Sequence, residues 1–430
     1  MTDDHGPIPP AGPWVLHGAR LLDADGERQG GWVAVQNGLI VAVGDGARSD
    51  GTGWRDLAAE GFEAVDAGSL AVGATLVPGF VDLHGHGGGG FGYEDGVSGI
   101  RSALALHRAH GTTSSVLSLV SAPVEALVRQ LRVIADLTLG DGTDADRTVL
   151  GSHLEGPFLA PGRRGAHDPA TLRPPSAALV DALLEAACGT LRQVTVAPEL
   201  PGALDAIRRF AEAGVVVAVG HTDAGHALAA EAFDAGATLL THAFNAMPGL
   251  HHRDPGPVAA ALDAPSVVLE LIADGVHVHP RLVRLLFDAA PGRIALVTDA
   301  MAAAGAPDGD YRLGSVEVTV REGCARLSGT STLAGSTLTQ DAALRSALAS
   351  GVDEVRAVEA LTATPARALG LDGRAGLVAP GRLADLVLLG EPPEGEGPGD
   401  VGDGPERETR GHAVRHVWVR GRPGDGRTGR

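Results

Sequence analysis

From about residue 76 to residue 370 the sequence repeats one unit, a short apolar run suited to a buried strand followed by a longer amphipathic stretch suited to a helix. The runs begin near Val77, Thr113, Val149, Val194, Val215, Thr238, Val267 and Ile294. Parallel strands need crossover connections, and intervening helices cover both faces of the sheet, so this alternation predicts an α/β fold with a parallel sheet. Eight such units fit a closed (β/α)8, TIM-like barrel better than an open doubly wound sheet. A dinucleotide-binding sheet would place Gly-X-Gly-X-X-Gly after its first strand. The glycine-rich run Gly85-His-Gly-Gly-Gly-Gly has a histidine inside it and lacks that context.

The flanks have a different character. Trp32-Val-Ala-Val-Gln and Leu39-Ile-Val-Ala-Val surround Asn37-Gly38, a pair suited to a type I′ hairpin. Short strands recur at the other end, in Ala384-Asp-Leu-Val-Leu-Leu and Val414-Arg-His-Val-Trp-Val. The expected arrangement is a small β-sandwich domain from residues 1–75 and 372–430, with a barrel domain of residues 76–371 inserted between them. Residues 390–411 are acidic and rich in Pro and Gly, as expected of a disordered surface loop.

The apolar runs end in residues that bind metals or move protons. The first ends in His84-Gly-His86, and alternation along a strand puts both imidazoles on one side. Later runs end in Glu155, His221, His242 and Asp299. Barrels keep their chemistry at the carboxyl ends of their strands. A hydrolytic metal site needs imidazoles and carboxylates for the ion, an open position for water and a base. Glu155, His221 and His242 supply a carboxylate and two imidazoles, and His84 and His86 a possible second position. Asp299 is a candidate acid and base. His153, two residues before Glu155, is expected to support the ligands from behind.

Composition narrows the alternatives. All 34 basic residues are arginine, so a carboxylated lysine cannot bridge two metals and Schiff-base chemistry by lysine is excluded. The formal charge of −19 argues against nucleic-acid or anionic-membrane partners and leaves recognition of an anionic substrate to local Arg or His. Cys188 and Cys324 form no disulfide framework, and Cys188 is expected to be a buried thiol in a helix. The first residues lack a cationic segment followed by an apolar run, and no stretch approaches a membrane span, so a soluble cytoplasmic protein is expected.

Seven segments occur in a fixed order: His153-Leu-Glu-Gly-Pro-Phe, Gly165-Ala-His-Asp-Pro, Val196-Ala-Pro-Glu, Gly220-His-Thr-Asp-Ala, Thr241-His-Ala-Phe-Asn-Ala-Met-Pro, Ala273-Asp-Gly-Val-His and Leu296-Val-Thr-Asp-Ala. Over residues 70–385 this strongly resembles the N-acetylglucosamine-6-phosphate deacetylases of the amidohydrolase superfamily. The resemblance implies release of acetate from N-acetyl-D-glucosamine 6-phosphate by metal-activated water, in amino-sugar catabolism and cell-wall sugar recycling. It implies Glu155, His221 and His242 as metal ligands, zinc as the metal, and Asp299 as acid and base. Substrate contacts would be Ala166, His167, Asn245, Ala246, Arg253, Asp274, His277 and the Ala334-Gly335-Ser336 loop. His167 would hold the acetyl carbonyl, and Arg253 and His277 would lie near the phosphate. Some members lack both first-strand histidines and use one zinc, whereas this chain keeps His84 and His86. The resemblance further implies a homodimer in which Arg253 reaches the neighbouring active site. A D-aminoacylase or cyclic-amide hydrolase would need a carboxylate-binding site instead, and a non-catalytic sugar-phosphate sensor would have no reason to keep Asp299 with all five ligands.

Overall fold

The computed structural model describes residues 12–45, 53–140, 142–143, 146–391 and 412–423. Residues 392–411, nearly all of the expected disordered loop, lie outside the described residues. Contacts divide the chain into two compact units, one of residues 82–107 and 114–343, the other of residues 1–81, 108–113 and 344–430.

The first unit is built on eight strands, β1 (Phe80–Gly85), β2 (Thr112–Val120), β3 (Val149–Glu155), β4 (Leu191–Val196), β5 (Val216–Val219), β6 (Ala237–Leu240), β7 (Val268–Leu271) and β8 (Ile294–Leu296). They neighbour one another in chain order, and the ladders from β2 to β8 are parallel. Beyond the end of β8 the Asp299 N–H donates to the His84 carbonyl at 2.7 Å, which draws the last strand to the first and nearly closes the barrel. A helix follows each strand, from Gly96–Ala109 after β1 to Gln340–Ala349 after β8. With aromatics at only 3%, Val, Leu and Ala supply most of the buried apolar residues of the strands, alongside the buried polar residues Asp82, Ser118, His153, Gln193, Thr195 and Glu270.

Between β8 and its helix lies a three-stranded antiparallel sheet, Gly309–Leu313, Val316–Arg321 and Cys324–Leu327. It packs Leu313, Val318, Val320 and Ala325 on Met301, Ala303 and Ala334. The sequence reading passed over it because each strand carries charged residues and is only partly buried.

The second unit gathers strands from both ends into one eight-stranded mixed sheet. Its order is Arg422–Pro423, Ala413–Val419, Leu386–Gly390, Thr75–Pro78, Trp14–Asp23, Gly26–Gln36 and Leu39–Gly44, with Glu63–Asp66 beside Trp14–Asp23. Asn37 and Gly38 both take positive φ, 53° and 78°, as the hairpin requires. Trp14 packs 5.7 Å from Trp418 and donates its indole N–H to the Gly421 carbonyl, a tie between the two ends of the chain.

Three expectations need adjusting. The run near Val77 is two strands: Thr75–Pro78 joins the terminal sheet, and the barrel strand starts at Phe80, because Pro78 has no N–H and the chain turns away at Gly79. Residues 344–371 fall with the terminal unit, where Arg20 grips Glu354 on helix Glu354–Leu361 through two hydrogen bonds of 2.8 and 2.7 Å. Cys188 is exposed, since it caps helix Ala177–Ala187 in a left-handed conformation rather than lying within it.

Glu354 also accepts from His412 at 2.9 Å. Burial works against its charge, but the bonds from His412 and Arg20 outweigh burial and hold the carboxyl at about 2, below its ordinary 4.5. A lowered carboxyl contributes stability that is present above the ordinary range and lost as pH falls towards the folded value. Glu354→Gln should therefore melt below the wild type at pH 7, and the gap should close as the pH of the melts is lowered from about 5 towards 2.

Candidate active site

The five candidate ligands and Asp299 meet at the carboxyl ends of the barrel strands, around the Glu155 carboxylate. His221 Nε2 lies 3.0 Å and His242 Nε2 3.1 Å from Glu155 Oε1, and His84 Nε2 is 3.3 Å from the same oxygen. His86 Nε2 and His167 Nε2 each lie 3.2 Å from Oε2. Asp299 Oδ1 is 3.2 Å from His86 Nε2 and 3.6 Å from His84 Nε2. All are buried. His221, His242 and Asp299 follow their strands in the left-handed region, with φ of 47°, 25° and 46°. That shape costs a non-glycine residue about 1–2 kcal/mol, a strain concentrated where function demands a direction.

Hydrogen bonds at the far ring nitrogens decide where the imidazole protons sit. His221 Nδ1 lies 2.8 Å from the Arg163 carbonyl, which can only accept, so Nδ1 carries the proton and Nε2 of the neutral ring presents a lone pair to Glu155. His84 Nδ1 is likewise held by the Glu270 carboxylate at 3.1 Å. His221 and His242 face each other Nε2 to Nε2 at 3.0 Å, and His84 and His86 at 3.3 Å. An imidazole lone pair aimed at a carboxylate is repelled by it unless a proton or a cation lies between them. The donor set, imidazoles with a shared carboxylate, is the set that binds a divalent transition metal. Two buried groups, His84-His86-Glu155 and Glu155-His167-His221, have the compactness of a metal site. His167 is better read as a donor, because its Nδ1 accepts the Ser121 backbone N–H at 3.2 Å and its proton must then sit on Nε2. His242 is the more suitable partner for His221 and Glu155. His153 bonds Ser118 and Thr195 through its two nitrogens, so it braces the cluster without ligating.

The charges balance around this arrangement. Burial would raise the Glu155 carboxyl, but His84 and His221 beside it hold it well below the usual range. Asp299 likewise falls to about 2, as His84 and His86 override its burial. Burial would lower His84 and His86, yet the adjacent carboxylates hold His84 well above its ordinary value and raise His86 to about 9. Burial keeps His153 and His167 low.

A pocket of about 450 Å³ opens onto the cluster. Of the expected substrate contacts, Ala166, His167, Asn245, Ala246, His277 and Gly335 line it. Asp274 sits behind His277, accepting from its Nδ1 at 2.7 Å. Ala334 is fully buried in the added sheet's core. Ser336 supports Asp299 from behind, its N–H donating to the Asp299 carbonyl at 2.7 Å and its hydroxyl to the Thr298 carbonyl. Gly335 has φ 64°, and a Cβ there would lie 2.9 Å from the Asp299 carbonyl oxygen, so the loop tolerates only glycine under the strand end. Arg253 is not among the lining residues; it is exposed and contacts His252 at 2.8 Å.

The sequence reading missed Glu270, which lies inside strand β7 rather than at its end. It also missed Arg163, Arg164, Leu313, Thr332 and Leu333, which line the pocket from loops or the added sheet. A carboxylate interrupting the apolar run Val267-Val-Leu-Glu-Leu-Ile was the available signal for Glu270.

The profile of the amidohydrolase family matches residues 75–423. The chain belongs to that family. It is 43% identical over 378 residues to an N-acetylgalactosamine-6-phosphate deacetylase of Escherichia coli O157:H7, covering 87% of this chain and 94% of that protein. The human N-acetylglucosamine-6-phosphate deacetylase is 37% identical over 330 residues, 74% of this chain and 80% of that one. A Mycobacterium smegmatis N-acetyl-D-glucosamine-6-phosphate deacetylase variant, solved with N-acetyl-D-glucosamine-6-phosphate, superimposes with a TM-score of 0.83 at 38% identity, covering 96% of this chain and 99% of that one.

If Glu155, His221 and His242 hold an ion independently of the first strand, replacing His84 and His86 together by Asn should remove only part of the metal measured in the purified protein. Loss of all metal from that folded variant would contradict the division.

Proposed function

We propose that this amidohydrolase removes the acetyl group from N-acetyl-D-glucosamine 6-phosphate, giving D-glucosamine 6-phosphate and acetate. The observation that carries the reading is the Glu155-centred imidazole cluster with Asp299 on its rim, at the floor of a pocket lined by amide and imidazole groups. Relatives 37–43% identical over 74–87% of this chain are sugar-phosphate deacetylases.

Glu155, His221 and His242 would hold one divalent ion, which we take to be Zn²⁺, and His84 and His86 would hold a second. A bound divalent cation supplies Lewis acidity, polarising a carbonyl and lowering the pKa of water. The chain's own residues do the rest. His167, with its proton fixed on Nε2 by the Ser121 N–H, donates to the acetyl carbonyl oxygen, where negative charge builds up. Asp299 accepts a proton at Oδ1 from the attacking water and returns it to the departing amine, which would otherwise be a poor leaving group. Asn245 commits its NH2 group to the His242 and Ala243 carbonyls, so its side-chain oxygen is left to accept from a sugar hydroxyl. His277, its ring oriented by Asp274, reaches the phosphate end.

Arg253 stands on an exposed polar loop and does not line its own pocket, which supports a homodimer in which Arg253 serves the neighbouring site. A phosphorylated sugar is retained inside cells, and both cysteines are free, which supports a cytoplasmic role in amino-sugar catabolism and cell-wall sugar recycling.

The 43% identity to an N-acetylgalactosamine-6-phosphate deacetylase favours a second reading, the same hydrolysis on the C4 epimer. Acetate release from the two N-acetylhexosamine 6-phosphates, from unphosphorylated N-acetylglucosamine and from an N-acetyl-D-amino acid separates the possibilities. The N-acetylglucosamine ester should have the highest kcat/KM, and Asp299→Asn should lower turnover on it by roughly a hundredfold or more. Arg253→Ala should raise KM for the phosphorylated sugar by roughly ten- to a hundredfold and leave the unphosphorylated sugar nearly unaffected. Preference for the amino acid derivative would overturn the sugar reading.

A further inference from the structure

Glu270 is a carboxylate that the proposed reaction does not use. It lies in β7 with no exposed surface. Among the described residues its one ion-pair partner is His84, whose Nδ1 is 3.1 Å from Oε2. The other oxygen, Oε1, accepts from Gln193 Nε2 at 2.7 Å, and the His242 N–H donates to Oε2 at 3.3 Å. A charge this deep is costly to bury unless every lone pair has work to do.

Its effect on His84 is specific. A carboxylate only accepts, so it draws the ring proton to Nδ1 and leaves the Nε2 lone pair directed at Glu155 and Asp299. Gln193 on β4 holds the carboxylate from across the barrel, which fixes its direction and therefore that of the ring. The other first-strand histidine has no such device among the described residues, where the buried His86 Nδ1 finds no hydrogen-bond partner. On the opposite side of Glu155, His221 takes its tautomer from a backbone carbonyl, that of Arg163, and owes nothing to Glu270. Glu270 touches that half only through the His242 backbone N–H, at 3.3 Å, and through neither of its imidazoles.

We infer that Glu270 is the positioning residue that makes the first-strand half of the cluster a cation site, acting through His84 as the carboxylate of a carboxylate–histidine–metal relay. The ligand is a divalent cation, and the inference rests on the reading that the cluster holds two of them. Glu270 sets the affinity of the ion at His84 and His86 and leaves the ion at His221 and His242 alone.

The test titrates metal-free dimer or monomer, as purified, with Zn²⁺ against a chromophoric chelator, for wild type, Glu270→Gln, His84→Asn and the double variant. Glu270→Gln keeps the shape and loses the charge. It should bind the tighter ion as wild type does and the weaker ion roughly ten- to a hundredfold less tightly. In the His84→Asn background the same change should have no further effect on metal affinity, because the path through His84 is already cut. Should Glu270→Gln fail to fold by circular dichroism, Glu270→Asp, anionic but shorter, should weaken the same ion to a smaller degree. A wild type that saturates with one ion overturns the two-ion reading and this inference with it. A two-ion wild type with unchanged affinities in the folded variant overturns the inference alone. So does a folded variant that loses both ions, since Glu270 would then govern the whole cluster.

Discussion

The convergence of imidazole nitrogens on the Glu155 carboxylate is the constraint around which the barrel end is organised. Four His Nε2 atoms besides that of His167 lie within 3.3 Å of one or other Glu155 oxygen. For His221 and His84 the far nitrogen is committed to an acceptor, so in the neutral ring the Nε2 lone pair faces the Glu155 carboxylate across a buried space. Protons can relieve this repulsion, as the raised values of His84 and His86 indicate. A dication relieves it more completely and in the geometry that neutral imidazoles prefer. Other features follow from this demand: left-handed strand ends at His221, His242 and Asp299, the glycine under Asp299, and hydroxyls bracing His153.

The barrel supplies the precision that this requires. The proposed ligands come from strands β1, β3, β5 and β6, distant in sequence, and each sits at or just past the end of a buried strand. The Asp299 N–H to His84 carbonyl bond makes the closure of the barrel and the meeting of Asp299 with His84 one event. Ser336 accepts a further share of that role by bonding the Asp299 and Thr298 carbonyls. Apart from the exposed Arg253, residues expected to contact substrate are thus of two kinds. Ala166, His167, Asn245, Ala246, His277 and Gly335 line the pocket, whereas Asp274, Ala334 and Ser336 lie behind those that do.

Much of this was legible in the sequence because strand and helix periods differ and because polar residues closing apolar runs stand out. The barrel strands begin within a few residues of the expected places, and the hairpin at Asn37-Gly38 forms as its turn chemistry dictates. What was not legible depended on pairing at a distance. Pro78-Gly79 separates Thr75–Pro78 from the strand that follows, but which sheet it joins depends on partners such as Leu386–Gly390, more than three hundred residues away in sequence. The half-exposed sheet after β8 lacks a clean apolar face, so its alternation was weak. Glu270 reads as an isolated acid in an apolar run, and its meaning appears only when β1 and β4 bring His84 and Gln193 to it.

Anomalous scattering from crystals of the zinc-loaded protein would locate the cation directly. Two peaks about 3.5–4 Å apart on either side of Glu155 are expected, with His221 and His242 on one and His84 and His86 on the other, each nitrogen about 2.0–2.1 Å from its ion. Fully loaded crystals with no peak within bonding distance of Glu155 would contradict the account, since the facing lone pairs would then be relieved by protons alone.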